Sequence, residues 1–163
     1  MTVNFGVLFF SLTVSLKSKS LIEKDSKSVI EQIYSKAKKY NCNIFIPEDY
    51  LVSTDFGGSG TTKEQDAVEK DEMILDIGPK TVNNIKNIID QSNTVLWNGP
   101  AGYFENPNFA NGSTEIAKKI IEKNKENKIF SVVGGGDTVS LINSLNAVKN
   151  FNFVSTAGGA FLE

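Results

Sequence analysis

Short apolar runs alternate with amphipathic segments along most of this chain, and the later apolar runs end in glycine-bearing turns. That alternation constrains the fold more than any other feature. Asp25 to Tyr40 reads as a helix, with Val29, Ile30, Ile33, Tyr34 and Ala37 on one face and lysines opposite. Asn43 to Ile46 reads as a strand stopped by Pro47, and Thr54 to Asp71 as a long charged loop carrying Gly57, Gly58 and Gly60. Pro79 to Asp90 is a helix with proline in its first turn and Ile85, Ile88 and Ile89 inward. The pattern then gives a strand at Thr94 to Trp97, a helix at Ser113 to Asn124 with Ile116, Ala117, Ile120 and Ile121 inward, and a strand at Ile129 to Val133. A helix at Thr138 to Leu145 and a strand at Phe151 to Val154 close the series.

Strand and helix alternating at this spacing mean βαβ units and a mostly parallel sheet. The expected class is α/β, a Rossmann-like three-layer αβα arrangement. Right-handed crossovers put the carboxyl ends of all parallel strands on one edge, where such sheets bind ligands. Three turns should therefore converge: Asn98-Gly99-Pro100, Gly134 to Asp137, and Ala157 to Gly159. Lys123 to Lys128 reads as a solvated helix end.

Composition narrows the chemistry. With 163 residues, 40% apolar and 22% charged, the chain is an ordinary globular length and mix. A net charge of −2 offers no basic field, so neither nucleic acid nor an anionic membrane is an expected partner. There is no histidine, and all 17 basic residues are lysine. Histidine acid–base catalysis and guanidinium clamps are thus excluded within this chain. Cys42 is the one cysteine, with no second thiol for a disulfide or zinc site, and reads as a small, partly buried residue. The apolar stretch Val3 to Leu16 is too short to span a bilayer as a helix and lacks a preceding cation, so a cytoplasmic location is expected.

At Gly134-Gly135-Gly136-Asp137-Thr138 the glycines let backbone approach a ligand, and the helix that follows offers free amides to phosphate. Asp137 has two readings, a helix cap or a partner for magnesium on a nucleotide, and Thr138 either contacts phosphate or begins the helix. Gly57 to Lys63 is similar to a Walker A loop, but Thr62 stands in place of the glycine before lysine, which favours a surface loop. A dinucleotide fingerprint would need glycine at Val139, which removes a Rossmann dehydrogenase.

In combination these segments are specific. Asp76-Ile77-Gly78-Pro79-Lys80-Thr81, Val95 to Glu105, Phe109-Ala110-Asn111-Gly112-Ser113, Ser131 to Thr138 and Ser155 to Glu163 together resemble the C-terminal domain of phosphoglycerate kinases, over about Lys19 to Glu163. Residues 1–18 do not resemble the family, and 19–163 are expected to be its nucleotide-binding domain, incomplete at both ends. The resemblance implies binding of ATP or ADP with Mg2+ and transfer of a phosphoryl group between 1,3-bisphosphoglycerate and ADP. It implies that Asn98, Gly99 and Pro100 run beside the nucleotide and that Glu105 bonds the ribose hydroxyls, the alternative for Glu105 being an exposed loop carboxylate. It implies that Gly134, Gly135 and Gly136 face phosphate, with Asp137 linked to the metal and Thr138 to phosphate. Gly158 and Gly159 match the catalytic glycines facing the transferring group, with Ala157 where a third glycine is usual. The family's phosphoglycerate-binding groups and upstream phosphate-binding lysine have no counterpart here. Two functions are therefore carried: the nucleotide half of a kinase, active only with a separate chain bearing the N-terminal domain, or a noncatalytic nucleotide-binding module or decayed gene fragment.

Overall fold

The computed structural model describes residues 7–8, 27–155 and 157. Its elements follow the chain as β1 (Val7–Leu8), α1 (Lys27–Lys39), β2 (Ile44–Phe45), β3 (Asp49–Ser53), β4 (Thr61–Glu64), β5 (Met73–Ile77), α2 (Pro79–Asp90), β6 (Thr94–Asn98), α3 (Asn111–Lys125), β7 (Phe130–Gly134), α4 (Gly136–Ser144) and β8 (Phe153–Val154). Strands and helices alternate as an α/β, Rossmann-like domain. β1 pairs with β2, β6 with β7, and β7 with β8, all parallel.

The register of the second set places the site. Asn98 lies opposite Gly134, and Trp97, Val133 and Val154 form one cross-strand row. That row faces the main core, where Val82, Ile85 and Ile89 of α2, Ile116, Ala117 and Ile120 of α3, and Leu141 and Ile142 of α4 are all buried. Because side chains alternate along a strand, Leu96, Val132 and Phe153 form the opposite row, and Leu96 and Phe153 there are 56% and 54% exposed.

The stretch expected as a loop, Thr54 to Asp71, is only partly one. β4 lies within it and pairs antiparallel with β3, which also pairs antiparallel with β5. β3 and β5 lack a helix between them, so βαβ pattern-reading does not find them. Tyr50, Val52 and Val68 give this unit a small core of its own. The Walker A likeness ends here too, because Thr61, Thr62 and Lys63 stand in strand β4 and Lys63 pairs with Glu69 and Glu72.

α1 turns less of its apolar face inward than expected: Ile30, Ile33 and Ala37 are half-buried, while Val29 and Tyr34 are exposed. Cys42 is partly buried and free. Three helices end through an asparagine with positive φ, Asn41, Asn127 and Asn146. The N–H groups of Cys42, Lys128 and Ala147 then reach back to the carbonyls of Ala37, Lys123 and Ile142 at 2.8, 3.0 and 2.9 Å, which closes each last turn. Lys123 is a correction: it is buried, and its Nζ donates to Asp90 O at 3.2 Å and pairs with the Asp90 carboxylate, so this helix end is not wholly solvated.

Candidate functional site

The carboxyl ends of β6 and β7 meet as the topology requires. β7 stops at Gly134, Gly135 occupies the N-cap of α4, and the helix begins at Gly136. Gly135 has φ of 85°, and a Cβ there would lie 2.7 Å from Asn98 Oδ1. Only glycine meets both conditions without strain. At Gly136, an exposed position, a Cβ would meet nothing within 4 Å among the described residues.

Asp137 lies inside the first turn of α4, behind the N-cap Gly135, and no side chain among the described residues bonds the first amides of this helix. The cap reading of Asp137 is therefore corrected. Asp137 is exposed and forms no hydrogen bond or ion pair among the described residues. Thr138 is fully buried, and its hydroxyl accepts the Gly99 N–H at 2.7 Å. That bond ties the β6 turn to the start of α4 across the sheet edge. With its hydroxyl so engaged, Thr138 offers a ligand only its backbone amide, and the exposed positions of the first turn are Gly136 and Asp137, the first N–H groups of a helix having no partner within it.

The segment after β6 is pinned at each step. The Trp97 indole donates to Gly99 O at 2.8 Å, the Ala101 N–H donates to the buried Ser113 Oγ at 2.7 Å, and the Tyr103 N–H donates to Leu75 O at 2.7 Å. Trp97 and Ile77 are buried and Phe104 packs on the same core. Glu105 follows on the surface, exposed and without a partner among the described residues. Beside it, the Phe56 and Tyr103 rings meet edge to face at 5.3 Å, both partly exposed. Asn106 Nδ2 donates to Phe56 O at 2.7 Å and Asn108 Nδ2 to Gly58 O at 3.1 Å, which holds the 55–58 turn against this segment. Sequence reading missed the Phe56–Tyr103 pair and the tying roles of Ser113 and Thr138. Phe56 carries no local signal, since it stands in a polar, glycine-rich stretch.

Two carboxylates buried under the site explain the glycines of the quoted motifs. Asp49 accepts the N–H groups of Lys80 and Thr81 at 3.0 and 2.8 Å and the Thr81 hydroxyl at 2.7 Å, filling the N-terminus of α2. A Cβ at Gly78 would lie 2.3 Å from that carboxyl group. Asp76 accepts the Gly112 N–H at 2.8 Å at the start of α3, and a Cβ at Gly112 or Gly102 would lie 2.4 or 2.5 Å from its Oδ1. Burial pushes the Asp76 carboxyl up to about 6, against the N–H groups of Gly112, Ile77 and Asn111, which draw it down. Asp49 also raises the buried Tyr50 hydroxyl, a smaller effect there than burial.

The structure thus brings together Asn98, Gly99, Gly134, Gly135, Gly136, Asp137 and Thr138, with Pro100 continuing the pinned turn. Glu105 lies further along the same segment. Gly158 and Gly159 lie outside the described residues. A cavity of about 230 Å³ lined by Asn124, Lys125, Lys149 and Asn150 to Asn152 opens just before β8, at the amino ends of the strands. Ligands of parallel sheets do not bind at that edge.

The phosphoglycerate kinase family model matches residues 5–163. The chain belongs to the phosphoglycerate kinase family. Similar curated relatives named phosphoglycerate kinase come from Chelativorans sp. (strain BNC1), 43% identical over 147 residues, and from Wolbachia pipientis subsp. Culex pipiens, 42% over 146. These alignments cover 89% and 88% of this chain but only 37% of each relative's length. Among solved structures, the phosphoglycerate kinase of Coxiella burnetii matches with a TM-score of 0.81 at 35% identity, covering 89% of this chain and 37% of that one. That of Pyrococcus horikoshii OT3 matches with a TM-score of 0.69 at 29% identity, covering 85% and 33%.

No group of three or more acidic, cysteine or histidine side chains able to hold a metal ion occurs among the described residues. One exposed carboxylate at a helix start suits an ion that arrives on phosphate oxygens, since magnesium keeps several waters and takes few protein ligands. No helix among the described residues is long and apolar enough to cross a membrane.

Proposed function

We propose that the edge formed by Asn98 to Pro100 and Gly134 to Thr138 binds the phosphates of ADP or ATP, as the nucleotide-binding part of a phosphoglycerate kinase. The start of α4 is the observation that carries this reading: no side chain among the described residues bonds its first amides, and Gly136 and Asp137 there are exposed, at the carboxyl edge of a parallel sheet. Asp137 is the residue that would meet magnesium. Bound there, the ion would neutralise charge on the phosphate oxygens. The Gly99–Thr138 bond fixes the distance between the two turns, and the amides of Gly136, Asp137 and Thr138 orient the phosphate chain. Glu105 would accept from the ribose hydroxyls, and the exposed Phe56–Tyr103 pair next to it offers an apolar wall for the base. Gly158 and Gly159 would face the transferring group.

The reaction this serves is transfer of a phosphoryl group from 1,3-bisphosphoglycerate to ADP, giving 3-phosphoglycerate and ATP, or its reverse. It needs a second substrate held in line and cations on the moving group. The chain has neither arginine nor histidine to hold a phosphoglycerate, so we assign that task to another polypeptide or region. A cytoplasmic location follows from that glycolytic role. Calorimetric titration with magnesium ADP should give saturable heat, and coupled turnover with 3-phosphoglycerate and ATP should be absent until a separately expressed N-terminal domain is added. Robust turnover by the chain alone would overturn the division of labour, and absence of magnesium ADP binding would overturn the site. Binding without turnover in either mixture would leave a noncatalytic nucleotide module.

A further inference from the structure

The sequence holds two Asn-Gly dipeptides, Asn98-Gly99 and Asn111-Gly112. In such a pair the glycine nitrogen can attack the asparagine side chain with little steric hindrance. The fold holds both nitrogens in hydrogen bonds: Gly99 N–H donates to Thr138 Oγ1 at 2.7 Å, and Gly112 N–H to Asp76 Oδ2 at 2.8 Å. The surroundings differ. Gly112 lies in α3, and its partner Asp76 is buried. Asn98 is exposed at the end of β6, and among the described residues its carboxamide forms no hydrogen bond and a Cβ on Gly99 would meet nothing within 4 Å. Among the described residues the dipeptide is held by the pairing of Asn98 with Gly134, the Trp97 indole bond to Gly99 O and the bond to Thr138, and of these only the last engages the Gly99 nitrogen.

We propose that Asn98 is a deamidation site, that the Thr138 hydroxyl is its lock, and that conversion puts a negative charge on the turn beside Gly135. In the reaction the Gly99 N–H gives its proton to solvent base and its nitrogen bonds to Asn98 Cγ, closing a five-membered imide. The Cγ–Nδ2 bond breaks and ammonia leaves. Water then opens either ring carbonyl, giving isoaspartate or aspartate, so asparagine and water become the acid and ammonia. The Gly99 nitrogen cannot turn toward Cγ while it donates to Thr138, so attack requires that bond to open. Isoaspartate also inserts an extra backbone carbon where Asn98 now meets Gly134. The effect on ligand rests on the phosphate reading of this edge, since a carboxylate at 98 would repel a phosphate held by the α4 amides.

The test is peptide mapping by mass spectrometry of both asparagines after incubation of the folded chain in mildly alkaline buffer, with a urea-denatured sample as reference. Wild type should convert both far more slowly than the denatured chain. Thr138→Val removes the acceptor at nearly constant volume and should speed conversion at Asn98 roughly threefold to tenfold, the factor one hydrogen bond is worth, with Asn111 unchanged. Thr138→Ser restores an acceptor and should convert as wild type does. Equal rates at Asn98 in wild type and Thr138→Val would overturn the lock, as would equal acceleration of both asparagines. Conversion of Asn98 in the folded wild type at the denatured rate would overturn it as well. The readout is chemical, so it stands apart from nucleotide binding. Asn98→Asp tested with magnesium ADP reports the consequence, and unchanged affinity there would remove the ligand effect alone.

Discussion

The N-termini of α2 and α3 differ from that of α4 in one respect: the first two are filled by carboxylates of the chain itself, and the third is not. Asp49 closes α2 and Asp76 closes α3, both from buried positions with glycine backbone pressed against them. α4 begins behind Gly135, and no side chain among the described residues bonds its first amides. A helix start buried in protein must find an anion or another acceptor within the fold. One left open at the carboxyl edge of a parallel sheet can wait for an external one. The contrast teaches that the same backbone feature is structural in two places and free for a ligand in the third.

Removing the internal anion should therefore cost stability. Asp49→Ala leaves the Lys80 and Thr81 amides without their acceptor and the buried Thr81 hydroxyl with only the backbone carbonyl of residue 49, and should destabilise the chain by about 3 kcal/mol in urea unfolding. Asp137→Ala, at the open terminus, should change stability by less than ~1 kcal/mol. Similar losses for the two would erase the comparison.

Asp76 sharpens it through pH. Its folded carboxyl titrates near 6, above the ordinary 3.8, so the folded state holds the proton more tightly than the unfolded one. Stability from this group is therefore full below about 4 and falls as pH rises toward 6, by at most about 3 kcal/mol. Asp76→Asn keeps one acceptor but turns an amide NH2 toward backbone donors. It should lower stability overall, and its profile between pH 4 and 6 should lack the component present in wild type. Parallel profiles for the two proteins would place the titration elsewhere.

Much of this was legible in the sequence, for identifiable reasons. α2 was bounded to the residue, because Pro79 fits only a first helical turn and the isoleucines keep a helical period. The α4 edge was legible because glycine at Gly135 is demanded by a positive φ and a close neighbour. β3, β4 and β5 were not, since Thr61 to Glu64 is polar and becomes a strand only by pairing with a distant partner. Asp49 was silent for a related reason. Its role depends on meeting Thr81 across 32 positions, and nothing local marks an aspartate that will be buried.

Smaller effects should separate the two open-site carboxylates. Asp137→Ala should weaken magnesium ADP about tenfold, near 1.4 kcal/mol, with a lesser loss in EDTA, because the carboxylate acts through the metal. Equal losses in both buffers would detach Asp137 from magnesium. Glu105→Gln should weaken a ribonucleotide more than its 2′,3′-dideoxy counterpart, and an equal effect would remove Glu105 from the ribose.

The most direct measurement is amide chemical-shift mapping of the isotope-labelled chain during titration with magnesium ADP. The expected result is saturable shifts of the Gly136, Asp137 and Thr138 amides, with those of Lys80, Thr81 and Gly112 at the filled helix starts little changed. Shifts confined to α2 and α3, or none at any of the three helix starts, would contradict the assignment of α4 as the open anion site.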